Sequence, residues 1–347
     1  MAAYLARGMA ARGMAVTLLL FTDQGEVDAV IGPLVGADVG VEYLGHARGP
    51  RGLDLARGLP ALVRALRRIA PDTVIAGANN VALVTAAAMR RARLPEARLF
   101  LKTTNPIASS RHRGVIRALR RATYRRAFAQ AAGVWTLSPS ETDEMRAAFP
   151  EYAGRFRDVY NPYVTPAMLA RREVAPSGEP RFILAVGRLT RQKRFERLIT
   201  AFARIADGDV RLRILGEGED RGSLEALVAR LGLQDRVEMP GFVKDVAGAY
   251  DRAAMLVLTS DYEGLPAVLL EAMAANCPIL STDCFPAARA ILEHAEGCAI
   301  IEDTAPGALA TLIAEHLEQP RPTGLRAIAE RYSIENGVAS HVAAMEP

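Results

Sequence analysis

The feature that most constrains this chain is an alternation, gone through twice, of short apolar runs with stretches whose apolar residues recur at helical spacing. In the first half the strand candidates are Val16–Phe21, Val39–Gly45, Thr73–Gly77, Arg98–Thr103 and Gly133–Ser138. In the second they are Arg181–Gly187, Val210–Leu215, Val237–Met239, Met255–Thr259, Pro278–Thr282 and Cys298–Ile301. Strands apolar on both faces, separated by helices, belong to parallel sheets covered on both sides. At 347 residues the chain is too long for one core. The polar stretch Arg171–Pro180, with two prolines and a glycine before a fresh strand, supplies the break. The expected class is α/β: two Rossmann-like, doubly wound parallel-sheet domains facing across a cleft. Residues 1–173 form the first and 174–330 the second, with 331–347 set apart as a C-terminal helix that can return to the first domain. In such sheets ligands sit outside the carboxyl ends of the strands, at the switch point.

Charge divides at the same place. Up to Glu173 there are 25 Lys+Arg against 14 Asp+Glu, and from Val174 onward 18 against 25. A basic half joined to an acidic half suits two domains with different partners. Arginine supplies 40 of the cations and lysine only Lys102, Lys193 and Lys244, a genome-like bias that makes basicity a poor sign of nucleic acid. Cys277, Cys284 and Cys298 lack paired C-x-x-C spacing, so neither a disulfide framework nor structural zinc is expected. The apolar run Ala15–Phe21 is far too short to span a bilayer, and no secretory signal is visible, so the expected location is the cytoplasm.

Two motifs carry chemistry. Strand Arg181–Gly187 ends in a glycine that lets a ligand approach the backbone, followed by Arg188 and Lys193. A guanidinium fork and a compact ammonium suit a diphosphate. A solvated basic loop is the competing reading, since Arg191 and Arg194 share the stretch. Lysine in a chain that otherwise writes arginine tilts the choice toward function. The second motif is Glu263-Gly264-Leu265-Pro266-Ala267-Val268-Leu269-Leu270-Glu271, after strand Met255–Thr259. Pro266 suits the first position of a helix, and a glycine before it lets backbone N–H groups point at an anion. Glu271 lies too far along to cap the helix but can reach sideways, where a carboxylate accepts both hydroxyls of a ribose. Glu263, in the loop, faces a sugar in this reading; as a bland alternative it only satisfies the helix dipole.

In order, GRLTRQKRFERLITAF, ILGEGED, MPGFVKDVAGAY and TSDYEGLPAVLLEAMAANCPILSTDC resemble the donor half of glycosyltransferase family 4, whose two-Rossmann-domain fold is called GT-B. LARGMAARGMAVTLL, LSPSETDEM and VYNPYV are similar, more loosely, to parts of its first half. The resemblance implies a retaining transferase using a nucleotide sugar, with no cofactor and no divalent metal. Arg188 and Lys193 would bind the diphosphate, Glu263 would approach the transferred sugar, and Glu271 would hold the ribose. Gly187, Gly216 and Glu217 would line the donor site. Phe242 would border the base, and Gly264, Leu265, Pro266, Val268 and Leu269 would contact sugar and phosphate through backbone. The string Asp207-Gly208-Asp209 reads as an exposed turn rather than a metal clamp.

The family opens with a buried strand and a glycine-rich loop, whereas this sequence begins inside what resembles the first helix, so the alternatives are a start that lies upstream, the favoured one, or a first domain that lacks its first strand. Where the family carries a histidine near the donor sugar, the sequence has Asn105, with His112 the nearest histidine; both are candidate sugar contacts. Arg111, Arg113, Arg117, Arg120, Arg121, Arg125 and Arg126 crowd one helical stretch with Ile116, Leu119, Tyr124 and Phe128. That suits peripheral contact with anionic lipid on the inner face of the plasma membrane, against an equally weighted solvated face. The expected activity is transfer of a hexose or N-acetylhexosamine from a UDP-linked donor to a glycan or lipid-linked acceptor. One rival is a truncated or inactive transferase that binds sugar or acts as a scaffold. A dinucleotide-dependent oxidoreductase needs a third glycine after Gly216-Glu217-Gly218, and Arg221 stands there instead.

Overall fold

The computed structural model describes residues 1–21, 28–45, 51–105, 107, 114–171, 181–243 and 245–346. The chain forms two compact units, Met1–Pro162 with Ile334–Pro347, and Tyr163–Ser333.

In the first unit, strands β1 (Val16–Leu20) and β2 (Val39–Tyr43) pair in parallel as a two-stranded sheet. A second parallel sheet runs β3 (Thr73–Ala76), β4 (Arg98–Lys102), β5 (Gly133–Thr136) and β6 (Phe156–Asp158) in that order. The sequence reading missed β6. The C-terminal helix Ile334–Ala343 belongs to this unit: Val338 is fully buried with Leu5 and Met9 of helix Ala2–Ala10. The two helices cross so closely that a Cβ on Gly8 would stand 2.3 Å from Val338.

The second unit holds one six-stranded parallel sheet: β7 (Phe182–Val186), β8 (Arg211–Leu215), β9 (Val237–Gly241), β10 (Met255–Leu258), β11 (Ile279–Thr282) and β12 (Cys298–Ile301). Its spatial order is β12-β11-β10-β7-β8-β9, so the order reverses between β7 and β10. That pair is the switch point. Helix Phe195–Phe202 buries Phe195, Leu198, Ile199 and Phe202, an i, i+3, i+4, i+7 stripe, against this sheet. Each such side chain contributes about 2 kcal/mol through the apolar surface it removes from water.

The first break falls at Pro162, eleven residues before the one expected from the proline- and glycine-rich stretch. The N–H groups of Tyr163 and Val164 both donate to Tyr332 O, at 3.1 and 3.0 Å, and Arg171 Nε lies 2.6 Å from Asp251 Oδ2. These bonds tie residues 163–171 to the second unit, a pairing that composition does not reveal. The second break, at Ser333, leaves helix Leu325–Glu330 in the second unit and sends only Ile334 onward back.

Candidate functional site

Both motifs lie on loops at the carboxyl ends of the two switch-point strands. After β7 the chain turns at Gly187, whose φ of +155° is one that L side chains rarely adopt. The loop after β8 is pressed against it. A Cβ on Gly216 would meet Gly187 O at 2.0 Å, and one on Gly218 would meet Leu189 O at 2.2 Å. Leu189 N donates to Glu217 O at 2.9 Å, and Asp220 N donates to Leu189 O at 3.0 Å. The backbones are thus laminated, and only glycine permits the approach.

The loop after β10 is tied to the same β7 loop from the other side. Asp261 N donates to Gln192 O at 2.9 Å, and Gln192 Nε2 donates to Tyr262 O at 2.7 Å. Thr259 Oγ1 donates to Lys193 O and Arg194 O, and Arg197 pairs with Asp261 at 2.8 Å. Within this frame Lys193 Nζ lies 2.7 Å from Glu263 Oε1, their side chains 17% and 12% exposed. Glu263 Oε1 accepts no aligned hydrogen bond among the described residues, so it retains acceptor capacity at a buried position. Arg188 is exposed on the same loop and has no ion pair with a described residue. Lys193 also lies across Gly187, where a Cβ would meet its Cε at 2.9 Å.

Helix Ala267–Ala274 starts one residue later than expected. Pro266 is its N-cap residue rather than its first helical position, and no side chain caps this end. Leu265 and Leu269 are buried and Gly264 has no side chain, so these three can present backbone groups only, while Val268 is half-buried. Glu271 lies inward on this helix, where its Oε2 accepts a 3.0 Å hydrogen bond from Tyr250 Oη. Burial raises the Glu271 carboxyl above its ordinary value, and the Tyr250 bond opposes that rise.

Not every expected residue joins this arrangement. The Glu217 carboxylate is turned onto Arg221, at 2.6 and 2.7 Å, whose hydrogen bonds hold its pKa down. Only the backbone of Glu217 borders the β7 loop. Phe242 is 85% exposed just beyond β9. Asn105 sits exposed after β4 in the first unit, its carbonyl accepting from Asn79 Nδ2 at 2.7 Å. His112, Arg111 and Arg113 lie outside the described residues. On helix Gly114–Phe128, Arg121 donates to Ala148 O and stacks on Phe149, while Arg125 pairs with Glu151 at 2.6 Å. Asp207-Gly208-Asp209 is a turn, with Asp209 N donating to Asp207 Oδ1 at 2.9 Å. Sequence reasoning overlooked Gln192, Arg197, Asp261 and Tyr250. The polar run Thr259-Ser260-Asp261 directly after an apolar strand was the available signal for the third.

Among curated relatives, an uncharacterized glycosyltransferase of Haemophilus influenzae is 35% identical over 120 residues, 34% of either chain. A Campylobacter jejuni N-acetylgalactosamine-N,N'-diacetylbacillosaminyl-diphospho-undecaprenol 4-alpha-N-acetylgalactosaminyltransferase is 34% identical over 122 residues, 35% of this chain and 33% of the relative. The chain spans about a third of the length of the curated relatives it matches. Anabaena HepE, solved with UDP and glucose, superposes with a TM-score of 0.75 at 20% identity, over 99% of this chain and 95% of that one. That likeness shows the fold, two Rossmann-like domains of the GT-B type. No helix among the described residues is long and apolar enough to cross a membrane. The model of a glycosyl transferase 4-like domain matches residues 1–161 and that of glycosyl transferases group 1 matches residues 169–335, and the chain belongs to the group 1 glycosyl transferases.

Proposed function

We propose that this chain is a retaining, metal-independent glycosyltransferase that moves a hexose or N-acetylhexosamine from a UDP-linked donor to a glycan or lipid-linked acceptor. The observation that carries the reading is the switch-point cluster: Lys193 against Glu263, with Arg188 exposed on the Lys193 loop and lacking any described ion-pair partner. Arg188, a cation left without a carboxylate partner among the described residues on a glycine-laminated loop, is ready for an anion. The helix end at Ala267, lacking a side-chain cap, adds its dipole to that charge. Charge accumulates on the departing phosphate as the glycosidic bond breaks, and Arg188 and Lys193 are the groups that stabilise it. Glu263 Oε1, buried against Lys193 and with a lone pair to spare, receives a sugar hydroxyl. Glu271 takes the ribose. Two relatives support the choice of ligands: HepE is crystallised with UDP and glucose, and the Campylobacter enzyme acts on a diphospho-undecaprenol acceptor.

A panel of UDP-, GDP- and ADP-sugars assayed for transfer and hydrolysis tests this, because the reading requires turnover of one of them. Arg188→Ala should lower kcat/KM about 100-fold or more while unfolding within about 0.5 kcal/mol of wild type, as expected for an exposed site. Wild-type turnover in that variant overturns the assignment.

We also propose a membrane contact on helix Gly114–Phe128, where Val115 is 83% exposed, Leu119 also projects into solvent and Arg126 is exposed on the same helix. Apolar side chains flanked by cations suit the interface of an anionic bilayer. Flotation with anionic and neutral liposomes decides it, since equal recovery with both removes the idea.

A further inference from the structure

We propose that Tyr250 positions Glu271 to read a ribose diol, so that the pair makes the nucleotide site prefer ribonucleotides over 2′-deoxyribonucleotides. The inference rests on the reading of Glu271 as the ribose ligand and concerns what holds its carboxylate.

Tyr250 is 1% exposed, on helix Val246–Arg252, and its Oη donates to Glu271 Oε2 at 3.0 Å. The phenol itself is fixed. Asp245 caps the start of the helix by accepting from Gly248 N at 2.9 Å, and Arg321 clamps its end by donating to Tyr250 O and Ala253 O at 2.7 and 2.8 Å. A glutamate with three free side-chain torsions would present its oxygens to a diol in many orientations. One anchored oxygen reduces these to a narrow set, leaving Oε1 and the second lone pair of Oε2 for two hydroxyls. The surroundings discourage other placements of the carboxylate. Asp251 is the neighbouring acid, itself held by Arg171 at 2.6 Å, and the small cavity between Arg171 and Glu271 is otherwise lined mainly by apolar side chains such as Met168, Ala247 and Ala274. Helix Val246–Arg252 starts four residues after Phe242, which would border the base.

A bond that merely satisfied a buried hydroxyl would weaken every nucleotide equally when lost. Positioning predicts a selective effect. The affinities of UDP and 2′-deoxy-UDP are measured by calorimetry on the full chain for wild type, Tyr250→Phe, Glu271→Gln and the double variant. Wild type should favour UDP by about 10- to 100-fold, the range for hydrogen bonds to a charged group. Tyr250→Phe should bring the ratio within about threefold, chiefly by weakening UDP, and the double variant should show the same ratio as Glu271→Gln alone. Glu271→Gln is isosteric, and Tyr250→Phe removes only the hydroxyl. A wild-type ratio in Tyr250→Phe, equal weakening of both ligands, or additive effects in the double variant overturns the positioning role. A wild-type ratio in Glu271→Gln, or no UDP binding by wild type, overturns instead the underlying ribose assignment.

Discussion

Lys193 Nζ stands 2.7 Å from Glu263 Oε1, joining the two loops that flank the point where the sheet reverses its strand order. The pair serves two ends at once. It ties the loop after β7 to the loop after β10, and it sets an ammonium and a carboxylate side by side at the switch point where the proposed donor would bind.

Removing one partner separates these roles. Lys193→Ala leaves the Glu263 carboxylate mostly buried without its counter-ion, which should destabilise the second unit by about 2–3 kcal/mol. Lys193→Ala/Glu263→Ala removes the stranded charge and should recover most of that stability in urea denaturation. It should recover none of the transfer rate, expected to lie about 100-fold or more below wild type. A double variant regaining turnover along with stability would show the pair to be a structural bridge only.

The laminated loops give a sharper stability contrast. Gly216→Ala forces a methyl to within 2.0 Å of Gly187 O at a φ of +137°, where the nearest atoms are all Gly187 backbone and no flexible side chain can yield. A loss of about 3 kcal/mol or more is expected, from overpacking and backbone strain together. Gly222 lies inside helix Arg221–Arg230, and a Cβ there meets nothing within 4 Å. Gly222→Ala should therefore stabilise by about 0.5–1 kcal/mol. Denaturant midpoints that move alike for the two variants would contradict the close approach of the loops.

The second unit was the more legible in sequence, and the reason is burial. Met255–Leu258 and Ile279–Thr282 are buried at every position; the first reads as an unbroken apolar run and the second opens on Ile279 and Leu280. β6 carries one buried residue, Phe156, followed by exposed Arg157 and Asp158, and three residues show no period. The strand expected over Val237–Met239 is β9, which extends to Gly241. It runs on through Pro240 because it is the edge of the sheet, where a missing N–H is tolerated. Within the site, glycines and isolated cations after strands stand out locally. The bond from Tyr250 to Glu271 does not, because 21 residues separate them and only the sheet brings their helices together.

The buried pair in the first unit makes the most specific pH prediction. Lys102 Nζ lies 2.5 Å from His341 Nε2, both side chains almost wholly buried, and His341 Nδ1 faces Gly337 O at 2.6 Å. Burial pulls Lys102 down to about 7 from an ordinary 10.5. Burial first, and the Lys102 charge second, pull His341 down to about 3 from 6.5. The Met1 amino group nearby is lowered by burial as well. Between about pH 7 and 10.5 the unfolded chain therefore holds a proton on Lys102 that the folded chain does not, so stability rises with pH across that window. Below pH 6.5 His341 acts in the same sense, and stability falls as the pH drops toward 3. The only tryptophan of the chain, Trp135, is fully buried with its ring centroid 5.0 Å from that of His341 and edge-on to it, so its fluorescence reports this unit. Urea midpoints followed at Trp135 should rise from pH 7 to pH 9 in wild type, with a slope of up to about 1.4 kcal/mol per pH unit. In Lys102→Met the midpoint should be higher at pH 7 and lose most of that slope, because the proton that the unfolded chain gains has been removed. An equal rise in both proteins would assign the dependence to some other group and leave Lys102 an ordinary charged lysine.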